Sequence, residues 1–173
     1  MSLDSLEKLF LEELKDIYNA EKQLTRALPR MAKAAESPEL EQAFTTHLKE
    51  TEGQIRRLER VFQGLGQATR GKKCKGMEGL IEEGKEKMEE DGEPMVMDAA
   101  LIASAQKVEH YEIAAYGCLR TYAELLGYTE AVQLLQQNLQ EEEATDKKLN
   151  ALAEGGINES AAMAGAGQEE EDE

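Results

Sequence analysis

Hydrophobic residues near the start of the chain recur every three or four positions, which is the spacing of one face of an α-helix. This pattern runs from residue 3 to residue 31, and it keeps its phase throughout. Ser2 or Asp4 is placed to cap the helix start, since short polar side chains accept hydrogen bonds from free backbone amides there. The pattern therefore predicts a long first helix that ends near Ala35.

A second helical pattern begins directly after Ser37 and Pro38. A serine followed by proline is typical of an N-cap and the first helical position. The pattern ends near Gly64 or Gly66, where glycine can terminate a helix. Residues 67–76 are basic and contain glycine, so they predict a loop.

Three further helices are predicted in the rest of the chain. A short one spans residues 77–88 and has apolar residues on one face, and the sequence Asp-Gly-Glu-Pro at 91–94 breaks it. A third long helix is predicted over residues 97–126 and a fourth over residues 130–153, with a glycine between them.

The lengths of the connections indicate the fold. Short turns join the first long helix to the second and the third to the fourth, which favours two antiparallel hairpins. The link between the hairpins is long and contains the short helix. This arrangement predicts an all-α, ferritin-like up-down-down-up four-helix bundle over residues 1–156. Residues 157–173 are rich in Ala, Gly and Glu, so we expect a disordered acidic tail there.

An internal repeat relates the two predicted hairpins. An offset of 91 residues brings their apolar positions into register without a gap, and the register holds across the turn within each hairpin. The same offset places Glu21 on Glu112 and Glu50 on Glu141. A pseudo-twofold pair of hairpins is the arrangement that a two-metal site between them requires.

Two of these carboxylates interrupt apolar stripes. Glu21 and Glu112 each occupy a position where the rest of the helical face is hydrophobic. Burying an unpaired carboxylate costs several kcal/mol, so such a residue usually has a partner, for example a metal ion. The alternative is a position at the edge of the stripe, where the carboxylate reaches water or a basic side chain.

Other helices supply further candidate ligands. His47 and Glu50 are three residues apart and share a helical face, as do Glu109 and Glu112. On the fourth long helix the apolar stripe favours Glu142, whereas the repeat favours Glu141, and the sequence leaves that choice open. Carboxylates with some imidazole suit iron or manganese. The predicted metal ligands are Glu21, His47, Glu50, Glu109, Glu112, Glu142 and Asp146.

Charge and cysteine content narrow the functional classes. With 20 basic and 36 acidic residues the chain has a formal net charge of −16, which disfavours nucleic acid and anionic membranes as partners. The cysteines Cys74 and Cys118 form neither a CxxC pair nor a zinc motif. With no secretory signal or membrane-length apolar run, we expect a cytoplasmic protein with reduced thiols.

Several segments resemble one bacterial family. The runs AEKQLTRAL, HLKETEGQI, MEGLIEE, DAALIASAQKVEHYEIAAYG and EEEATDKKL are similar to the YciF/YciE-like ferritin-like proteins, and the resemblance covers about residues 3–153. It implies a rubrerythrin-type bundle, usually a homodimer, linked to stress responses. It also implies metal-ligand roles for the seven residues named above. The chain lacks the Glu-x-x-His motif of standard di-iron bundles on its second and fourth long helices, which argues against ordinary ferroxidase chemistry.

Two functions follow from this reading. The first is a metal-binding protein with a dinuclear iron or manganese site, two ions per chain, which reacts with oxygen or peroxide. The second is a structural or interaction protein in which the inward carboxylates form salt bridges. Metal bound in stoichiometric amounts would distinguish them.

Overall fold

The computed structural model describes residues 3–166 of the 173-residue chain. Within that part the secondary structure is entirely helical. The helices are α1 (Leu6–Ala34), α2 (Pro38–Gly64), α3 (Lys75–Glu89), α4 (Pro94–Leu125), α5 (Thr129–Leu152) and α6 (Asn158–Ala166).

The four long helices form the predicted bundle. α1 pairs with α2 and α4 pairs with α5 as hairpins, and the hairpins meet through α1 against α4 and α2 against α5. Asp98 near the start of α4 bonds to Glu36 just after the end of α1, so these two helices are antiparallel. The short α3 lies in the crossover and packs against α1 and α4. The up-down-down-up prediction is therefore confirmed.

Local capping explains where the helices begin. Ser5, rather than Asp4, accepts the N-cap hydrogen bond of α1, from the Lys8 amide at 3.2 Å, and Ser2 lies outside the described residues. Ser37 caps α2 as predicted. α4 begins three residues before the predicted position because a proline fits the first helical turn.

A buried carboxylate joins the two hairpins at one end of the bundle. The two oxygens of Asp98 accept hydrogen bonds from the backbone amides of Glu36 and Ser37, at 2.9 and 2.8 Å. Both amides lie in the turn between α1 and α2. Asp98 therefore satisfies backbone donors across the hairpin interface, a contact that the sequence did not indicate.

Side chains of α1 and α4 anchor the beginning of the crossover helix. Asn19 accepts a hydrogen bond from the Cys74 amide at 2.8 Å, and Gln23 donates to the Cys74 carbonyl at 3.0 Å. The Cys74 thiol lies 3.0 Å from the hydroxyl of Tyr111, which also donates to Asp16 at 2.6 Å. These contacts hold α3 beside α1 and α4.

The core is a continuous apolar cluster along the bundle axis. Its largest fully buried side chains include Phe10, Phe44, Phe62 and Tyr116. None of the helices described here is long and apolar enough to cross a membrane.

The C-terminal part differs from the sequence prediction. The bundle does not give way to a disordered tail at residue 157, because Ile157 is buried and α6 packs against α4. A kink precedes α6, where Gly156 has a φ of 142°, a conformation that favours glycine. Residues 167–173 of the predicted tail lie outside the described part.

Candidate metal centre

Four buried side chains from three helices converge inside the bundle. They are His47 on α2, Glu109 and Glu112 on α4, and Glu142 on α5. One nitrogen or oxygen atom from each lies within 4.8 Å of the corresponding atoms of the others. Helical periodicity explains the pair on α4, since residues three apart project from the same face. The arrangement is a compact donor cluster isolated from solvent.

The two nitrogens of His47 have different surroundings. Nε2 faces the cluster, 3.0 Å from Glu109 Oε1 and 3.8 Å from Glu142 Oε2. Nδ1 faces the other way, 3.4 Å from Thr145 Oγ1 and 3.6 Å from Glu50 Oε2. A carboxylate on one ring nitrogen commonly orients a histidine whose other nitrogen binds a metal.

Glu21 on α1 adds a further acidic group beside this cluster. Tyr116 of α4 donates a hydrogen bond to its Oε1 atom, and both side chains are fully buried. Glu21 is close enough to Glu112 that each carboxyl group shifts the pKa of the other. The four long helices therefore all contribute to the centre.

Most of the inward-facing carboxylate oxygens have no hydrogen-bond partner within the described part of the chain. Buried polar groups are nearly always satisfied in folded proteins, so such a concentration of unsatisfied acceptors requires an explanation. A bound cation would provide it. The unpartnered carboxylate atoms are Glu21 Oε2, Glu109 Oε2, Glu112 Oε1 and Oε2, and Glu142 Oε1 and Oε2.

Burial and mutual repulsion alter the protonation of the centre. Burial raises the pKa of Glu21 to about 7. Burial together with nearby carboxylates raises the pKa of Glu112 and of Glu142 well above the ordinary carboxyl range. Burial alone would lower the pKa of His47, but Glu109 and the other carboxylates raise it well above its usual value. Without a metal, protons balance the charge, and a cation would displace them.

Two of the seven predicted ligands, Glu50 and Asp146, lie outside the buried cluster, and the other five are buried. Glu50 is 37% exposed and contacts His47 from outside the cluster, which lowers the pKa of Glu50. Asp146 lies at the margin of the bundle, 3.4 Å from His110 Nε2. Glu141 forms a salt bridge of 2.6 Å with Arg57. The position that faces the interior on α5 is therefore Glu142, as the apolar stripe indicated.

Three further buried polar residues of α2 and α4 were not among the predicted ligands. They are Thr51, Gln54 and Tyr116. The 91-residue offset places Thr51 on Glu142, so the inward repeat position carries a hydroxyl in one hairpin and a carboxylate in the other. These residues occupy positions in the apolar stripes of their helices, which is the pattern that could have identified them. An uncharged threonine, glutamine or tyrosine differs less from the surrounding apolar residues than a carboxylate does, so the pattern is weaker.

Comparisons with known proteins agree with this fold. A family described as a domain of unknown function, DUF892, matches residues 5–162. Protein YciF of Escherichia coli strain K12 is 51% identical over 162 residues, covering 93% of this chain and 98% of that protein.

Solved structures extend the comparison. The crystal structure of the E. coli stress protein YciF matches with a TM-score of 0.87 at 51% identity, covering 90% of this chain and 99% of that one. YcfI from Rhodopseudomonas palustris, described as a proposed structural protein, matches with a TM-score of 0.84 at 48% identity, covering 87% and 97%. A protein from Xanthomonas campestris, 24% identical with a TM-score of 0.67 and coverage of 97% and 99%, shares the fold. The chain therefore belongs to the DUF892 family of YciF-like proteins.

Proposed function

We propose that this protein binds two iron or manganese ions in the core of its bundle and reacts there with oxygen or peroxide. The observation that carries the proposal is the cluster of His47, Glu109, Glu112 and Glu142, whose ligand atoms lie within 4.8 Å of one another. Its carboxylate oxygens largely lack protein partners. Within residues 3–166 no lysine or arginine lies within salt-bridge distance of these carboxylates, so the salt-bridge alternative rests on His47 alone.

The donor set fits iron or manganese. Carboxylates with one imidazole suit these metals, whereas structural zinc sites more often use thiolates. His47, Glu109, Glu112 and Glu142 would hold one ion. Glu21, with its unpartnered Oε2, would hold the second together with Glu112. Bound as a pair, such ions supply electrons to dioxygen or peroxide.

The surrounding residues keep the ligands in position. Glu50 and Thr145 lie against His47 Nδ1 and leave Nε2 directed at the cluster. The Tyr116 hydroxyl donates to Glu21 and holds one of its oxygens in place. Since all the proposed ligands are buried, bulk water is excluded, and their electrostatic attraction for a cation is stronger than at the surface.

A non-catalytic structural role is the second candidate. The close contact between His47 and Glu109 is one charge pair that needs no metal. YcfI, a close structural match, is described as a proposed structural protein. In this case the remaining carboxyl groups would stay protonated in the core.

Metal content distinguishes the two functions. We expect about two ions per chain in protein purified without chelator or titrated anaerobically with Fe(II), the number that the dinuclear ferritin-like arrangement implies. Exposure to oxygen should then produce a new near-ultraviolet absorption band. Glu142→Gln should lose most of the binding, whereas Glu141→Gln should retain it because Glu141 faces Arg57. Absence of bound metal in the parent protein would refute the proposal.

We further propose a cytoplasmic homodimer that acts in a stress response. The stress role is supported by the description of E. coli YciF as a stress protein. The acidic net charge of −16 favours neither nucleic acid nor anionic membrane as partner. Light scattering at micromolar concentration would measure the oligomer, and a monomeric mass would refute the dimer.

A further inference from the structure

An apolar cleft lies between α1, α3 and α4, beside the metal centre. Its volume is about 40 Å³. α3 contributes Leu80, Ile81 and Met88 to its lining. The exposed Arg30 and the partly exposed Lys85 also line it, so the cleft reaches the protein surface. None of the proposed metal ligands lines this cleft.

A smaller cavity of about 10 Å³ lies deeper in the bundle and shares part of its wall with the cleft. Leu24, Met31 and Val108 line both spaces. On its inner side the cavity is lined by His47 and Glu109, two of the proposed metal ligands. Three apolar side chains therefore separate a surface cleft from the metal centre.

Polarity, rather than size, selects what can pass, because dioxygen is larger than a water molecule. A volume of about 10 Å³ is close to the minimum for one water-sized molecule. Buried water needs two to four polar partners, and the partition offers none, because Leu24, Met31 and Val108 are hydrocarbon or thioether side chains. Hydrogen peroxide would lose its hydrogen bonds there as well. Dioxygen is apolar and has no hydrogen bonds to lose, so it can cross when the side chains of the partition move apart.

We infer that the cleft beneath α3 and the inner cavity form the route by which dioxygen, rather than hydrogen peroxide, reaches the metal centre. The inference rests on the proposed function and names the oxidant. Met31 is the flexible member of the partition, because its unbranched thioether side chain has three rotatable bonds. Its rotation would connect the two spaces transiently.

Two glycines of α3 provide a matched pair of variants. Gly84 lines the cleft, and a Cβ atom there would meet Ser104 Cβ at 3.6 Å, an ordinary contact, so a longer side chain would extend into the cleft. A Cβ atom on Gly79 would have no atom within 4 Å. Gly84→Leu and Gly79→Leu make the same change in helix propensity, but only the first narrows the route.

The kinetic test uses protein loaded anaerobically with Fe(II) and mixed with dioxygen or hydrogen peroxide. We expect Gly84→Leu to slow the dioxygen reaction by about fivefold or more relative to Gly79→Leu, because access gates can limit the rate at enclosed sites. Iron stoichiometry and the peroxide rate should be unchanged. Equal dioxygen rates in the two variants, or equal slowing of both oxidants, would overturn the inference.

A second measurement needs no metal. Crystals of the metal-free protein under xenon pressure should show xenon against Leu24, Met31 and Val108, since dry apolar cavities bind xenon. Lack of xenon there would overturn the route even in a protein that binds iron. Lack of bound iron would instead refute the proposed function, so the two failures are distinguishable.

Discussion

Replacing Glu112 with glutamine should stabilise the metal-free protein while removing its response to metal. Glu112 is fully buried, and neither of its carboxylate oxygens has a hydrogen-bond partner in the described part of the chain. An unsatisfied buried polar group costs about 1–3 kcal/mol. Glutamine has nearly the same shape and is neutral at every pH, so folding no longer has to add a proton to residue 112 at neutral pH, and its amide can donate to the neighbouring Glu21 or Glu142.

The expected gain for the metal-free variant is about 2 kcal/mol, which for a chain of this size corresponds to about 4–8 °C in Tm. The wild-type protein gains its stability from metal instead. At a free metal concentration of about 100 times the Kd, each bound ion contributes about 2.7 kcal/mol. The variant should therefore be the more stable protein in chelator and the less stable one with saturating metal.

Thermal unfolding followed by circular dichroism, in chelator and in Mn(II), measures both effects. Glu143→Gln is the matched control, because it makes the same Glu-to-Gln replacement at an exposed position on α5. The control should keep the metal response of the wild type. A Glu112→Gln protein that is destabilised without metal, or that gains as much Tm from Mn(II) as the wild type, would contradict this explanation of the buried carboxylates.

Three further predictions concern the residues around the centre. Glu50→Gln should weaken metal affinity by about 10–100-fold, since it removes the carboxylate that orients His47, while the number of ions bound per chain stays the same. Unchanged affinity in a metal titration would exclude that role for Glu50. Asp98→Ala should lower the free energy of unfolding, measured by urea denaturation, by about 3 kcal/mol, because it removes two charge-assisted hydrogen bonds. A loss below about 1 kcal/mol would mean that water takes over the hydrogen bonds to the Glu36 and Ser37 amides. The metal-free protein should lose stability as pH rises from about 4.5 to about 7, because burial raises the folded-state pKa of Glu21 to about 7 and the folded state therefore binds more protons there. Glu21 by itself contributes a loss of about 3 kcal/mol, and the raised pKa values of Glu112, Glu142 and His47 act in the same direction. Saturating metal should abolish the trend in urea midpoints measured between pH 5 and 8.

Local patterns in the sequence determined the fold. Apolar residues at helical spacing, the Ser37-Pro38 start of α2 and the two short turns each act within a few residues, so they could be read without the tertiary structure. The same logic identified Glu21 and Glu112, because a carboxylate inside an apolar stripe is visible in one helix alone. His47, Glu109 and Glu142 were also expected, and the structure brings them together.

Only the tertiary structure decided how each helix is rotated against its neighbours. Successive residues of a helix differ by about 100° in direction, so packing of α5 against α2 and α4 determined that Glu142 faces inward while Glu141 meets Arg57. Packing likewise placed Glu50 behind His47 rather than among the ligands. The helix α6 was missed because its contacts are with the distant α4, while its own Ala- and Gly-rich sequence has no apolar stripe. The cleft beneath α3 also exists only where three helices meet, and no single segment encodes it.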